Sequence, residues 1–151
     1  MQLYSHEYFM RQALQQAELA FEADEVPVGA VVVIENKVIA RAHNQTEQLT
    51  DSTAHAEMLA LTAAYFKMGT KQLPAASIYI TLEPCLMCCG ALYWARPAQI
   101  IYGAIDEKFG YHCFTGQAGK KPYHPKTTII TGVLATESAT LLKAFFKAKR
   151  G

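Results

Sequence analysis

The stretch that decides the fold joins a short apolar strand to the start of a helix. It reads Ser77-Ile78-Tyr79-Ile80-Thr81-Leu82-Glu83-Pro84-Cys85-Leu86-Met87-Cys88. β-Branched and aromatic residues fill its first half and predict a strand from Ser77 to Leu82. Pro84 fits the first turn of a helix, where its missing N–H costs nothing. We therefore predict a helix from there to about Ala95, ended by Arg96-Pro97.

Strands and helices alternate on both sides of this segment. Upstream, the spacing predicts a helix over 6–23 capped by Ser5, a β-hairpin over 30–42, and a helix over 54–68 that stops at Gly69. Downstream, it predicts strands over 99–102 and 127–131 and an amphipathic helix over 136–150. In the helices predicted over 54–68 and 136–150, the predicted core residues are Met58, Leu59, Leu61, Phe66, Leu141, Leu142, Phe145 and Phe146. This alternation predicts an α/β layered domain with a partly parallel sheet.

Length and composition predict one folded domain over residues 1–151. The chain has 151 residues, of which 51% are hydrophobic and 18% charged, and this excludes an intrinsically disordered chain. Its longest nearly uncharged apolar run, from Val26 to Ile34, is far shorter than the roughly 20 residues of a membrane-spanning helix. No basic stretch followed by an apolar block opens the sequence, so we expect a cytoplasmic protein with reduced cysteines.

Charge is distributed unevenly along the chain. Residues 1–107 carry 6 Lys/Arg and 12 Asp/Glu, which gives 6 − 12 = −6, whereas residues 108–151 carry 8 and 1, which gives 8 − 1 = +7. Such asymmetry indicates an anionic partner for the basic part. A solvated basic helix that keeps the protein soluble is the other interpretation, and charge alone favours it.

Three residues form a candidate metal site. Cys85 and Cys88 are three residues apart, so both sulfurs face one side of a helix, and a helix N-terminus favours the thiolate form. With the imidazole of His55, they suit tetrahedral Zn²⁺, and three protein ligands leave one position for water, as in catalytic sites. A closed site with a fourth protein ligand remains the alternative. The candidates for that ligand are Cys89, Cys113, His43, His112 and His124.

Glu57 is a candidate proton carrier for that site. It lies two residues after His55, which in mid-helix would place the two side chains about 200° apart. Both can serve one site only if the helix points its first turn at the pocket. An acidic residue that simply favours a helix N-terminus is the structural alternative.

These motifs resemble the zinc-dependent cytidine and nucleobase deaminases, whose signature is His-x-Glu followed by Pro-Cys-x-x-Cys. The sequence is most similar to the bacterial tRNA-specific adenosine deaminases, over nearly the whole chain. The matching phrases are Val26-Pro27-Val28-Gly29-Ala30-Val31, Thr53-Ala54-His55-Ala56-Glu57, 81–88, Asp106-Glu107-Lys108-Phe109-Gly110 and 141–147.

The resemblance implies a three-layer α/β/α sandwich around a five-stranded mixed sheet of the cytidine deaminase-like kind, usually as a homodimer. It implies hydrolytic deamination of adenosine to inosine at the wobble position of a tRNA anticodon. His55, Cys85 and Cys88 would hold one zinc ion, and zinc-bound hydroxide would attack C6 of adenine while Glu57 shuttles the proton. Asn44 would hydrogen-bond the target nucleoside; without the resemblance, an Asn capping its own turn is preferred.

The C-terminal helix would supply the contacts to RNA phosphates. The residues predicted for them are Lys147, Lys149 and Arg150, and either Phe145 or Phe146 is predicted to be buried.

The sequence departs from the family pattern in two places. Residues 111–126 replace a small-residue turn with a basic, aromatic, Gly- and Pro-punctuated stretch, and Cys89 stands where a small residue is expected. Loops of this kind carry specificity, so a deaminase of a free base or nucleoside, guanine above all, is the second hypothesis. A zinc-stabilised RNA-binding module without catalysis is the third, and it requires four protein ligands on the metal.

Overall fold

The structure is a computed structural model that describes residues 2–115 and 122–150. Its strands are β1 (Gly29–Ile34), β2 (Lys37–His43), β3 (Ser77–Leu82), β4 (Gln99–Ala104) and β5 (Thr128–Ile130). They form a five-stranded sheet in the order β2-β1-β3-β4-β5. β1 pairs antiparallel with β2 and β3, whereas β3, β4 and β5 run parallel. The predicted mixed sheet is therefore confirmed.

Helices cover both faces of this sheet. They are α1 (His6–Glu22), α2 (Ala56–Met68), α3 (Leu86–Ala95), α4 (His112–Thr115) and α5 (Ala135–Arg150). Alternate residues of a strand point to opposite faces. Ala30 and Val32 accordingly pack with α2 and α3, whereas Val31 and Val33 pack with α1. The α/β/α layering follows from these two apolar clusters.

On the face of the sheet that α1 covers, two small residues, Gly29 and Ser138, allow helices to approach the strands closely. A Cβ on Gly29 would run into the backbone of α1 at Ala13 and Ala17, so α1 lies directly on β1. On the same face, the Ser138 hydroxyl of α5 donates a hydrogen bond to the backbone carbonyl of Thr81. Together these contacts place α1 and α5 in one layer above the centre of the sheet.

Three predicted helix ends are confirmed by their caps, whereas α2 and α3 begin two residues later than predicted, at Ala56 and Leu86, and Pro84 lies just outside α3. Ser5 precedes α1, and its side chain accepts a hydrogen bond from the Tyr8 backbone N–H. Gly69 ends α2 in the left-handed conformation, with φ of 68°, as a C-terminal glycine does. Arg96 ends α3 with φ of 52°, just before Pro97. In the part of the chain that is described, no helix is long and apolar enough to cross a bilayer.

Two predicted core residues were wrong. Phe66 is 91% exposed, because α2 buries a stripe of small residues at Ala56, Ala60 and Ala64 that lets the helix approach the sheet closely. Phe146 is 43% exposed, whereas its neighbour Phe145 is buried. Met58, Leu59, Leu141 and Leu142 are only partly buried. Between β4 and β5, where the sequence predicts no helix, the structure contains the short helix α4.

Candidate active site

Two helix N-termini bring together the three predicted metal ligands. His55 is the N-cap of α2, Cys85 is the N-cap of α3, and Cys88 lies in the first turn of α3. The His55 Nδ1 lies 3.5 Å from the Cys85 Sγ and 3.6 Å from the Cys88 Sγ. Tetrahedral zinc with ordinary Zn–N and Zn–S bonds requires an N···S separation of about 3.6 Å. The donor set and its spacing therefore fit Zn²⁺.

One of the two cysteines of the group is ionised at neutral pH. A hydrogen bond from Cys88, together with one from His55, lowers the pKa of Cys85 to about 4, so this sulfur is a thiolate at neutral pH. The same contact with Cys85 raises the pKa of His55. The N-terminus of α3 adds a partial positive charge that stabilises a thiolate.

Glu57 reaches the same cavity as His55, although the two are two residues apart. The first turn of α2 points at the cavity, as that spacing requires, and Glu57 lies in it. Its side chain is buried, and burial raises the pKa of the carboxyl group. A carboxyl group with a raised pKa is suited to taking up and releasing a proton near neutral pH.

Asn44 lines this cavity beside the metal ligands. The cavity has a volume of about 260 Å³ and is lined by Asn44, His55, Glu57 and Cys85, among others. Asn44 follows β2 directly and is buried, and its backbone N–H donates to the Val28 carbonyl at 3.1 Å. A volume near the lower end of small-molecule pockets suits one base and excludes a duplex.

The candidates for a fourth protein ligand lie in other contacts. The Cys89 thiol donates to the Tyr123 hydroxyl at 3.3 Å, and burial raises its pKa to about 12, so it stays protonated. His43 contacts Gln16, and His112 contacts Glu83. The Cys113 thiol donates to the Glu107 carbonyl, and the His124 ring accepts from the Lys126 backbone N–H. Over residues 2–115 and 122–150, the His55-Cys85-Cys88 group has three members.

Glu83 organises one wall of the cavity, and sequence reasoning missed it. Its buried carboxylate accepts hydrogen bonds from the backbone N–H groups of Asp106 and His112, at 3.0 and 3.1 Å. It also contacts the His112 ring Nδ1 at 2.7 Å. These bonds fix the turn after β4 against the segment that carries Cys85. An acid at the junction of a buried strand and a helix is the signal that could have found it.

Glu25 holds another loop next to the cavity, and sequence reasoning missed it as well. Its side chain is 1% exposed, and its two oxygens accept from the backbone N–H groups of Glu47 and Gln48, at 3.1 and 2.7 Å. Those residues belong to the connection between Asn44 and His55. A single buried carboxylate therefore holds the loop that joins two residues of the cavity.

The predicted phosphate contacts differ in their surroundings. Lys147, Lys149 and Arg150 are all exposed on α5. Lys149 forms an ion pair with Asp24 at 2.6 Å, whereas Arg150 lines a groove next to the active-site cavity. Their contact with RNA stays a prediction. Of the atypical stretch 111–126, residues 116–121 lie outside the described residues.

A five-stranded mixed sheet with a His-Cys-Cys group at two helix N-termini is the arrangement of a cytidine deaminase-like enzyme. The chain belongs to the MafB19-like deaminase family, whose model matches residues 4–150. It is 42% identical over 144 residues to the tRNA-specific adenosine deaminase of Agrobacterium fabrum, which covers 95% of each chain. The resemblance stated from the motifs is thereby confirmed.

Solved structures give the same fold. The chain is similar to a tRNA:A34 deaminase described for A-to-I editing at the wobble position of transfer RNA. The two chains are 42% identical and superpose with a TM-score of 0.81, and the match covers 89% of this chain and 99% of the other. The guanine deaminase of Nitrosomonas europaea has 27% identity, a TM-score of 0.77, and coverage of 92% and 83%.

Proposed function

We propose that this chain, acting as one domain over residues 1–151, hydrolyses adenosine to inosine and ammonia at the wobble position of a tRNA anticodon. One observation carries the proposal. Two of the metal ligands, His55 and Cys85, line one cavity of about 260 Å³ together with Glu57 and Asn44, in a chain 42% identical to a tRNA-specific adenosine deaminase. Because its proposed substrate is a tRNA, we expect the enzyme to be cytoplasmic.

The cofactor of this reaction would be one zinc ion held by His55, Cys85 and Cys88. When bound, zinc lowers the pKa of a coordinated water and makes a nucleophile available near neutral pH. The chain contributes the ligand set that leaves a coordination position open and the walls that shape the cavity. Chelation should therefore abolish activity, and added Zn²⁺ should restore it.

Glu57 moves the proton. Its carboxylate takes a proton from the attacking water and delivers it to the amino group that leaves C6 as ammonia. Burial keeps its carboxyl pKa raised, which suits both steps. Asn44, a buried residue that lines the same cavity, offers a carboxamide that donates to and accepts from the target nucleoside.

The RNA outside the cavity would meet the basic C-terminal helix. We include Lys147, Lys149 and Arg150 as phosphate contacts, because each is exposed on α5. The anticodon base must leave the stack to enter the cavity, and single-stranded loop bases are the ones that proteins read in this way.

The test is inosine formation in an anticodon stem-loop with adenosine at the wobble position. The parent enzyme should convert it, and Glu57→Gln should retain fold and zinc but lose about 10²–10⁴-fold in rate. Glu18→Gln, an exposed glutamate on α1, is the matched control. Unchanged turnover by Glu57→Gln would refute its role. RNA binding by a zinc-loaded parent protein that forms no inosine would instead favour a zinc-stabilised RNA-binding module.

Deamination of free guanine is the second candidate. Its support is the similarity to the guanine deaminase of Nitrosomonas europaea, at 27% identity and a TM-score of 0.77. Incubation with free guanine, adenine, cytosine and their nucleosides separates the two functions. Turnover of guanine without turnover of the stem-loop would replace the first proposal by the second.

We also propose that the enzyme is a homodimer. α2 and α3 lie on the same side of the sheet and expose Phe66, Leu86 and Trp94 to solvent. Large exposed apolar side chains on one layer favour contact with a second copy. Sedimentation equilibrium should give twice the chain mass, and Phe66→Glu combined with Trp94→Glu should shift it to the monomer. A monomeric parent protein would contradict the proposal.

A further inference from the structure

An imidazole and a thiol lie side by side on α4, outside the three-ligand group of the active site. The His112 Nε2 lies 3.6 Å from the Cys113 Sγ, and both residues are exposed. The same distance separates the His55 Nδ1 from the Cys88 Sγ, and it is about what tetrahedral zinc requires between a nitrogen and a sulfur ligand. The two donor atoms are therefore already spaced for one ion. We call these two residues the α4 pair.

A buried carboxylate orients the ring of His112. The Glu83 side chain is 1% exposed, and its two oxygens lie 2.7 and 2.8 Å from the His112 Nδ1. Because a carboxylate can only accept, Nδ1 carries the proton of the neutral ring and the lone pair is left on Nε2. Histidines that bind metals almost always donate their other ring N–H to a carboxylate or carbonyl. The ring of His112 therefore has the tautomer and the support of a metal ligand.

Three carboxylates place the α4 pair in a negative field. The hydrogen bond with Glu83 raises the pKa of His112, and the charges of Glu83, Glu107 and Asp106 raise it further. Desolvation raises the pKa of the Cys113 thiol, and the same three charges add to the shift. A field that favours protons on both groups also favours a metal cation. It disfavours the free thiolate that a nucleophilic cysteine needs, so a metal site suits this cluster better than a reactive thiol does.

We propose that the α4 pair is a second metal site, which binds one Zn²⁺-like divalent cation through the His112 Nε2 and the Cys113 Sγ. One nitrogen and one sulfur donor favour Zn²⁺ and similar ions over Mg²⁺ and Ca²⁺, which prefer oxygen. On binding, the thiol proton leaves to solvent and the ion takes its place on the sulfur. The Glu107 carbonyl oxygen, 3.2 Å from the Cys113 Sγ, lies nearby, and water fills the remaining positions. With two side-chain ligands instead of three, this site fills after the active-site group.

The second site is linked to the active-site cavity through Glu83. This residue lines the cavity and also accepts from the backbone N–H groups of Asp106 and His112. A cation on Nε2 makes the Nδ1–H a stronger, charge-assisted donor to Glu83. An ion at the α4 pair therefore stabilises the turn after β4, which forms one wall of the cavity. This inference goes beyond the proposed reaction and does not depend on it.

The first test counts ions. The reduced protein is dialysed against buffered, micromolar free Zn²⁺, and the metal bound per chain is measured. We expect the parent to bind one ion more than Cys113→Ser and one more than His112→Gln. Both residues are exposed, so both variants should fold, which circular dichroism will show. Equal counts for the parent and Cys113→Ser would overturn the proposal.

His124→Gln is the matched control. His124 belongs to the same connection between β4 and β5, but its Nδ1 accepts from the Lys126 backbone N–H and contacts no carboxylate. This variant should bind as many ions as the parent. A loss of one ion from His124→Gln as well would assign the extra ion to unspecific binding by histidine and overturn the proposal. Because the site is measured as a difference of one ion, the result does not depend on whether the active-site group is filled.

The second test follows the Cys113 thiol itself. Trypsin should release residues 109–120 as a peptide that contains Cys113 and none of the other three cysteines, so its alkylation by iodoacetamide can be read by mass spectrometry. At free Zn²⁺ ten times the midpoint of the second binding step, alkylation should be about tenfold slower than without the second ion. His112→Gln should abolish this protection. An alkylation rate that is independent of Zn²⁺ would overturn the site.

The melting temperature tests the link to Glu83. It should rise again as Zn²⁺ fills the second site of the parent, because an ion that binds only the folded chain stabilises it. The second rise should be absent from Cys113→Ser. A second ion that binds to the α4 pair without raising the melting temperature would overturn the stabilisation of the cavity wall.

Discussion

Replacing Glu25 should destabilise the enzyme although this residue touches neither metal ligand nor substrate. Its carboxylate accepts hydrogen bonds from the backbone N–H groups of Glu47 and Gln48, at 3.1 and 2.7 Å. The Glu25 side chain is almost completely excluded from water. A hydrogen bond to a charged group contributes roughly 1.5–3 kcal/mol. Glu25→Gln retains one acceptor oxygen and turns an NH₂ group towards the second N–H, so we expect a loss of about 1.5–3 kcal/mol in the free energy of unfolding. Glu25→Ala removes both acceptors and should cost about 3–5 kcal/mol.

Urea unfolding of the zinc-loaded protein measures this effect, provided that the m-value is unchanged. Glu22→Gln is the matched control, because Glu22 is exposed at the end of α1, and such surface changes stay within about 0.5 kcal/mol. The loop held by Glu25 joins Asn44 to His55, so kcat/KM should fall with stability while zinc is retained. A Glu25→Gln protein as stable as the Glu22→Gln protein would refute the reasoning.

Further predictions concern Tyr123, the contact between Glu83 and His112, and Gly29. Tyr123→Ala should lower the free energy of unfolding in urea by roughly 3–5 kcal/mol because the ring is buried. Tyr123→Phe loses only the acceptor for the Cys89 thiol and should lower it by about 1 kcal/mol. Equal losses for the two variants would contradict this. Glu83 raises the pKa of His112, so their contact adds stability below the ordinary imidazole pKa and loses it as the pH rises through the raised value. The NMR titration of His112 should have a midpoint above about 6.5, and a midpoint at or below it would count against the contact. Gly29→Ala would press a methyl group into the backbone of α1 and lower the free energy of unfolding by roughly 1–3 kcal/mol through overpacking. The melting temperature should fall accordingly, and an unchanged melting temperature would exclude that close approach.

The sequence predicts the order and most boundaries of the elements because local chemistry specifies them. Ser5, Gly69 and Arg96-Pro97 act on the backbone within a few residues, and their effect is visible in the sequence. Burial is different, because it depends on how closely two elements approach. The alanines of α2 let that helix lie on the sheet, and Phe66, apolar and at a plausible spacing, is left in solvent. Apolar character alone therefore did not identify the core of α2.

The same distinction applies to the site. His55, Cys85 and Cys88 are recognisable because their residue types and spacing are themselves the chemistry. Glu25 and Glu83 are not, because each acts on backbone N–H groups that lie about 22 to 29 residues away in the chain. Their partners come close only after the sheet has formed, and no short motif marks them.

The two departures from the family pattern meet at one place in the structure. Cys89 donates to the hydroxyl of Tyr123, and the ring centroids of Tyr123 and Tyr111 are 5.5 Å apart. Cys89 and Tyr123 are both buried, and Cys89 directly follows the metal ligand Cys88 in α3. This part of the atypical stretch therefore packs with the metal-binding helix, and the residues that line the cavity include neither Tyr111 nor Tyr123. Its unusual sequence is then weak support for a different substrate, and the residues that line the cavity, Asn44 and Phe109 among them, are the ones through which this chain can select one.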